Sequence, residues 1–314
     1  MNFEELGLSA GLLATVAKEG YTEPTPVQSA AIPLILAGRD VLASAQTGTG
    51  KTAAFALPAI DRLSPHGNGG FSPARHPVRA LVLTPTRELA VQVSESFHTF
   101  CKGTGLRSAV VYGGTKMDPE VKTLWNGVEI LVATPGRLLD HIGQRTVNLS
   151  AVEILVLDEA DRMLDMGFIP DVRKIVGNLP SKPQTLLFSA TFSDQIRRLA
   201  SEFLTDPETV EVAPRNAIAD NLTQVLYPVD GERKADLLLH LLQRDGMDQV
   251  LVFTKSKIGA SRLAAYLDRR GVSATAIHSD RTQVERTRAL LAFKGRFVRV
   301  LVATTVPPFE VVVA

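Results

Sequence analysis

Short apolar runs alternate along the chain with stretches whose apolar residues recur every three or four positions. The runs at 41–43, 80–84, 108–112, 130–133, 153–157 and 185–189 are rich in β-branched and aliphatic residues. Bounded by polar residues, such runs are the pattern of strands buried in a parallel sheet. Between them, 88–100 sets Leu89, Val93 and Phe97 at helical spacing. Strands alternating with helices predict βαβ units, so the expected class is α/β. Ahead of the first run, 2–20 reads as a helical lead-in through Phe3, Leu6, Leu8, Leu12, Leu13 and Val16. A turn-rich stretch at 21–26 precedes a helix expected near 27–36. Residues 67–77, rich in Gly, Pro and Ser, are expected to form a mobile surface loop.

A second block repeats this grammar. Strands are expected near 224–228, 250–253, 273–277 and 299–303, and helices near 233–242, 258–269 and 283–293. The expected organisation is one domain over 1–213, a linker at 214–222 and a shorter, partial domain over 223–314. The apolar end at 307–314 has no helix after it and is expected to be a sheet edge or a poorly ordered tail.

Composition narrows the class. A length of 314 residues fits two domains, and 45% apolar with 21% charged residues is ordinary for a globular chain. The net charge of +1 carries no global basicity, so any nucleic-acid binding has to come from local patches. The single cysteine, Cys101, excludes an intramolecular disulfide and is expected to be a small, inert hydrophobe. The first residues carry Glu4 and Glu5 and no basic region, so no signal peptide is read there. No apolar run reaches membrane-spanning length, and a soluble, cytoplasmic protein is expected.

Two stretches carry chemistry. Ala45-Gln46-Thr47-Gly48-Thr49-Gly50-Lys51-Thr52 follows a strand and opens a helix, the setting of a phosphate-binding loop. Glycines let backbone amides turn toward a phosphate, and a helix N-terminus adds favourable partial charge. Lys51 is expected to reach the β- and γ-phosphates, and Thr52 to offer its hydroxyl to Mg²⁺. Ala45 stands where the generic pattern has a glycine. The second stretch is 154–161, an apolar run ending in Asp158, Glu159 and Asp161. Ligands of open α/β sheets bind just beyond the carboxyl ends of strands. Asp158 therefore suits Mg²⁺, largely through water, and Glu159 suits orienting and deprotonating an attacking water. Asp161 reads either as an inter-motif hydrogen-bond acceptor or as a helix N-terminal acid.

Asp-Glu-Ala-Asp at 158–161 is the signature of the DEAD-box RNA helicases, and the chain resembles that family in further motifs that follow in order. Residues 20–28 resemble the family's Q motif, with Phe3 as its upstream aromatic residue. The resemblance implies that Gln28 reads the adenine edge of ATP, that Tyr21 stacks on the ring, and that Ala45, Thr47, Gly48, Thr49, Gly50, Lys51 and Thr52 hold the phosphates. Pro85, Thr86 and Arg87, then Gly113 and Gly114, then Thr134, Gly136 and Arg137 resemble the RNA-contacting elements. Glycines, hydroxyls, helix N-termini and single arginines suit backbone phosphates without reading bases. Taken singly, Arg87 and Arg137 read by default as surface ion-pair residues, and in this order and spacing both are expected to contact phosphate. Ser189-Ala190-Thr191 resembles the motif that couples ATP state to strand separation, and it also reads as a helix cap.

In the second block Thr254 lies in a match to motif IV, and Gln283 and Arg286 in the segment that reads Gln-x-x-Arg. Ser279 replaces a usual glycine there. Arg281, Arg286, Arg288, Lys294, Arg296 and Arg299 form a basic run that faces RNA or solvent. Residues 300–304 begin motif V through Thr304. The match then breaks, because Thr305-Val306-Pro307-Pro308-Phe309-Glu310 replaces the family's Asp and Ala-Arg-Gly. The later motif with its arginine finger does not follow, and such a finger contributes about 10³–10⁵ in rate.

The first domain most resembles the bacterial RhlE subgroup. The family implies two tandem RecA-like parallel-sheet domains of P-loop NTPase type, the second incomplete here. It implies ATP and Mg²⁺, and RNA bound by its backbone without sequence specificity, as single strands and short duplexes. It also implies a monomer, with partners in ribosome assembly or RNA decay. Two functions stand as expectations: an ATP-dependent RNA helicase that locally opens short duplexes, or an ATP- and RNA-binding module impaired in turnover.

Overall fold

The computed structural model describes residues 2–45, 48–67, 76–180, 183–212, 223, 225–244 and 246–304. The chain divides into two units, Met1–Asp220 and Asn221–Ala314. The linker expected at 214–222 and the tail at 305–314 lie outside the described residues.

The first unit is built on one seven-stranded sheet. Its strands are β1 (Val41–Ser44), β2 (Ala80–Leu83), β3 (Ser108–Val111), β4 (Ile130–Ala133), β5 (Ile154–Leu157), β6 (Gln184–Ser189) and β7 (Glu208–Glu211), in the order β3-β4-β2-β5-β6-β1-β7. Every pairing is parallel, so all carboxyl ends open on one edge. Side chains alternate between two cores. Val41, Ala43, Val82, Val132, Val156 and Phe188 face one cluster, and Leu42, Leu81, Leu83, Leu131, Leu155 and Leu187 face the other. This two-faced burial is why the strands read as continuous apolar runs. Each fully buried aliphatic side chain contributes roughly 1.5–3 kcal/mol relative to exposure.

The helices of this unit are α1 (Ala10–Lys18), α2 (Pro26–Leu36), α3 (Lys51–Leu63), α4 (Arg87–Phe100), α5 (Met117–Trp125), α6 (Pro135–Gly143), α7 (Ala160–Asp165), α8 (Ile169–Val176) and α9 (Asp194–Phe203). Their starts are chemically marked. Thr25 and Gln28 form a capping box with Pro26 as first helical residue, Thr86 accepts from Leu89 N, and Ser193 from Ile196 N.

Four expectations change here. The lead-in is a 3-10 turn, Phe3–Leu6, and then α1, separated at Gly7, whose φ of 85° a side chain would oppose. The edge strand β7 was not foreseen, because Glu208, Thr209 and Glu211 are not fully buried and only Val210 is. Within 67–77, residues 68–75 lie outside the described residues, yet His76 is 1% exposed and its Nδ1 meets the Glu129 carboxylate. Residues 225–228 form no strand, and Leu226 is 91% exposed.

The second unit has β8 (Val250–Thr254), β9 (Ala274–Ile277) and β10 (Val300–Thr304) in the order β8-β10-β9, all parallel. Helices α10 (Lys234–Arg244), α11 (Lys257–Asp268) and α12 (Gln283–Lys294) accompany them. Leu238, Leu242, Val250, Val252, Leu267, Val300 and Val302 form its core. Arg299 leaves the expected basic run. Its Nη2 donates to Leu242 O and its Nε to Met247 O, both at 2.6 Å, so it ties the end of α10 to the sheet. Among the described residues, no helix is long and apolar enough to cross a membrane.

Candidate functional site

Parallel register brings the motifs of the first unit to one sheet edge. The order β5-β6-β1 sets Asp158, Ser189 and the loop after Ser44 side by side. Ser44 stands opposite Ser189, and Ala45 N continues the ladder to Ser189 O at 3.1 Å. Beyond Ala45, Gly48 and Gly50 have φ of 86° and 90°, a left-handed backbone that favours glycine. Gly50 is the N-cap of α3, Lys51 is its first residue and Thr52 follows in the same turn. The ammonium of Lys51 is buried and has no hydrogen-bond partner among the described residues. Thr47 lies outside the described residues.

The turn before α2 is bonded to this loop. Gln28 is buried at 1% exposure. Its Oε1 accepts from Thr25 N at 2.9 Å, and its Nε2 donates to Gly50 O at 3.1 Å. A Cβ at position 50 would strike the Gln28 amide and stand 3.2 Å from Thr25 Oγ1. Tyr21 is held edge-on between Phe3 (6.2 Å between centroids) and Phe100 (5.9 Å). Burial, with a smaller contribution from Glu19, raises its phenol pKa.

The acids follow β5. Asp158 N donates to Leu83 O at 3.0 Å, which fixes the first carboxylate beside the end of β2. Asp158 is 2% exposed. Burial pushes its pKa up to about 6, opposed by Lys51 and reinforced by Glu159. Glu159 occupies the left-handed region at φ 52°, ψ 52°, a strain of about 1–3 kcal/mol for a residue with a side chain. Its Oε2 pairs with Arg162 Nη1 at 3.2 Å. Asp161 Oδ2 accepts from Ala190 N at 3.2 Å, and Thr191 N donates to Ser189 Oγ at 3.2 Å. The third acid thus touches the turn after β6.

These residues fit a polyphosphate with a hard divalent cation. The buried Lys51 ammonium has no hydrogen-bond partner among the described residues, and burial raises the Asp158 pKa despite the opposing charge of Lys51, so both groups would gain from a bound polyphosphate and cation. No cluster of three or more His, Cys, Asp or Glu side chains suited to a metal exists among the described residues. Thr52 and Asp158 are the residues that would hold Mg²⁺, largely through water, as its preference for hydration allows.

The other half of the sheet, β3-β4-β2, carries a second group. Pro85 and Thr86 follow β2, and Arg87 opens α4. Gly113 and Gly114 follow β3. A Cβ on Gly113 would stand 3.3 Å from Arg87 Nη2, and one on Gly114, where φ is 86°, would overlap the guanidinium. Thr134 stands at the N-cap position of α6, with Gly136 exposed in its first turn. Arg137 is not an open cation. Its side chain is 9% exposed, and its Nη2 donates to Thr115 O at 2.6 Å. Thr115, Glu120 and His141, which no motif marks, join this group through hydrogen bonds.

In the second unit, Thr254 and Thr304 stand opposite each other at the ends of β8 and β10. Gln283 begins α12, and Arg286 Nη1 lies 3.5 Å from Gln283 Oε1.

Comparison with known proteins supplies independent findings. The family model described as DEAD/DEAH box helicase matches residues 25–199, and that described as Helicase conserved C-terminal domain matches 233–307. The chain is 46% identical to the DEAD-box ATP-dependent RNA helicase 52A of Oryza sativa subsp. japonica, over 97% of this chain and 54% of that one. It is 41% identical to the DEAD-box ATP-dependent RNA helicase RhpA of Helicobacter pylori, over 97% of this chain and 60% of that one. The chain thus spans little more than half the length of these relatives. Among solved structures, S. cerevisiae Dbp5 bound to RNA and ADP BeF3 matches at TM-score 0.85 and 31% identity, over 96% of this chain and 75% of that one. A DEAD box protein from the hyperthermophile Methanococcus jannaschii matches at TM-score 0.62 and 38% identity, over 97% and 80%.

Proposed function

The chain belongs to the DEAD/DEAH box helicase family, and on that premise we propose that it binds ATP and RNA on the two halves of one sheet edge and uses ATP to open short RNA duplexes locally. The observation that carries this reading is topological. The phosphate loop, the acids and Ser189 follow β1, β5 and β6, whereas Arg87, Gly113, Gly114, Thr134 and Gly136 follow β2, β3 and β4. The halves meet where Asp158 N bonds Leu83 O. The described relatives support the ligands, since a matching structure holds RNA and ADP BeF3.

Each residue then has a physical task. Gln28 keeps one amide hydrogen and one oxygen lone pair beyond its bonds to Thr25 and Gly50, enough to pair with an adenine edge. Tyr21 offers a ring fixed by Phe3 and Phe100. The amides at Gly48–Lys51 and the α3 N-terminus surround a phosphate, and Lys51 supplies the cation. Mg²⁺, when bound, neutralises charge on the phosphates. Glu159 holds the attacking water and takes its proton. Asp161 transmits the state of this end to the Ser189-Ala190-Thr191 turn through Ala190 N. Backbone amides and hydroxyls at Thr86, Gly114, Thr134 and Gly136 contact RNA phosphates, so recognition is independent of base sequence. In the second unit, Thr254, Gln283, Arg286 and Thr304 are the RNA-contacting residues.

The second reading, binding without efficient turnover, is favoured by the residues after Thr304 that depart from the family's motif. ATP hydrolysis with and without single-stranded RNA tests both. Hydrolysis stimulated by RNA and abolished by Glu159→Gln is expected. Binding of both ligands with no hydrolysis selects the second reading, and binding of neither refutes both.

A further inference from the structure

One carboxylate in the RNA half of the sheet takes three hydrogen bonds and pairs with one guanidinium. Glu120 Oε1 lies 2.8 Å from Thr115 Oγ1 and 3.3 Å from Tyr112 N. Its Oε2 lies 3.0 Å from His141 Nε2 and 3.5 Å from Arg137 Nε. Burial pushes the Glu120 pKa up, but the His141 and Thr115 hydrogen bonds, Arg137 and the Tyr112 amide outweigh it and hold the carboxyl below its ordinary value. An ionised carboxylate only accepts, so His141 Nε2 carries a proton toward it. On the other side of the fully buried ring, Nδ1 meets Thr146 Oγ1 at 2.7 Å.

This network lies between two exposed backbone segments. One is the turn after β3, where Gly114 and Thr115 are exposed. The other is the first turn of α6, where Gly136 is exposed. Arg137 crosses from the second to the first, through Nη2 to Thr115 O at 2.6 Å. At 9% side-chain exposure it has little surface left for a phosphate.

We propose that Glu120 and His141 are positioning residues that make Arg137 a brace, not a phosphate ligand, and so lock the 113–115 turn and the α6 N-terminus into one surface for the RNA backbone. The RNA part rests on the function proposed above. The brace does not, since every contact in it is intramolecular. An amide at position 120 would lose the charge that pairs with Arg137 and has one acceptor oxygen for three donors that now meet two, so Glu120→Gln should release the turn. His141→Gln should release it too, through the same carboxylate.

Two measurements on the whole chain test this. The first is backbone hydrogen exchange without ligands. In Glu120→Gln the Tyr112 amide should exchange about 10-fold faster, the scale of one charge-assisted hydrogen bond, with the amides of Gly50 and Lys51 unchanged. Unchanged exchange at Tyr112 overturns the brace whether or not RNA binds. The second is the affinity for a labelled single-stranded oligo-uridylate. Glu120→Gln and Arg137→Gln should each weaken it by about 5–10-fold, while the double variant should be no weaker than either single, because residues acting as one unit are non-additive. A double variant whose loss is the product of the single losses would show Arg137 to be an independent ligand and overturn the proposal. If the unaltered chain fails to bind the oligonucleotide while exchange rises as expected, the RNA reading fails and the brace stands as a structural device without that role.

Discussion

Gln28 donates from Nε2 to the carbonyl of Gly50 at 3.1 Å, so the turn before α2 and the loop before α3 form one hydrogen-bonded unit. The second bond of the same side chain, from Thr25 N to Oε1 at 2.9 Å, closes the cap of α2. An adenine edge presented to Gln28 would therefore be felt at the phosphate loop through one carbonyl.

Gln28→Ala should remove both bonds and leave Thr25 N without this acceptor. The expected loss of stability is about 1–3 kcal/mol, read as a lower denaturant midpoint. Affinity for a fluorescent ATP analogue should fall further than stability explains. Gly50→Ala should be worse, because its Cβ meets the Gln28 amide and its φ of 90° opposes any side chain.

Asp158 predicts a pH dependence of the ligand-free chain. Its folded pKa, about 6, lies above the ordinary 3.8. The folded state therefore holds this proton more tightly than the unfolded one. The stabilisation is complete below the unfolded value and is lost as pH rises through about 6. That displacement corresponds to about 3 kcal/mol at most. Asp158→Asn should flatten the fall in unfolding free energy between pH 4 and pH 6.5, a window set by the two cited values. Equal pH profiles for the two proteins would contradict the burial argument.

Cys101 should be inert. Its thiol is buried, and burial, reinforced by Glu129, pushes its pKa up to about 12. The reactive thiolate is thus scarce at neutral pH. Labelling by a thiol reagent at pH 8 should require unfolding, and prompt labelling of the native chain would contradict this.

Gly114→Ala should damage the RNA surface selectively. Its Cβ would overlap the Arg87 guanidinium, and its φ is 86°. Affinity for single-stranded RNA should fall about 10-fold, the order expected for displacing one charged phosphate contact. Affinity for nucleotide should be unchanged.

Much of this was legible in the sequence because the strands are buried on both faces and read as uninterrupted apolar runs. Asp158 and Ser189 could be placed at strand ends, and Lys51 at the helix start after β1, for that reason. The same reading went astray where burial is one-sided. β7 has only Val210 fully buried, and Val225 and Leu226 resemble a strand yet lie exposed. The lead-in looked continuous because apolar spacing does not register the left-handed Gly7. Glu120 and His141 were invisible, since 21 residues separate them and neither resembles a motif. Arg137 reads in the sequence as a phosphate contact, whereas Thr115 O and the Glu120 carboxylate already claim its guanidinium.

In the proposed function one sheet edge couples nucleotide to RNA. Coupling is reciprocal, so it appears as a change in RNA affinity when nucleotide is bound. The direct measurement is the affinity of this chain for a labelled single-stranded RNA with and without a non-hydrolysable ATP analogue and Mg²⁺. We expect a tightening of about 5–150-fold, the usual range of coupling energies, and its disappearance in Lys51→Ala. Equal affinity with and without the nucleotide, while both ligands bind, would contradict the account.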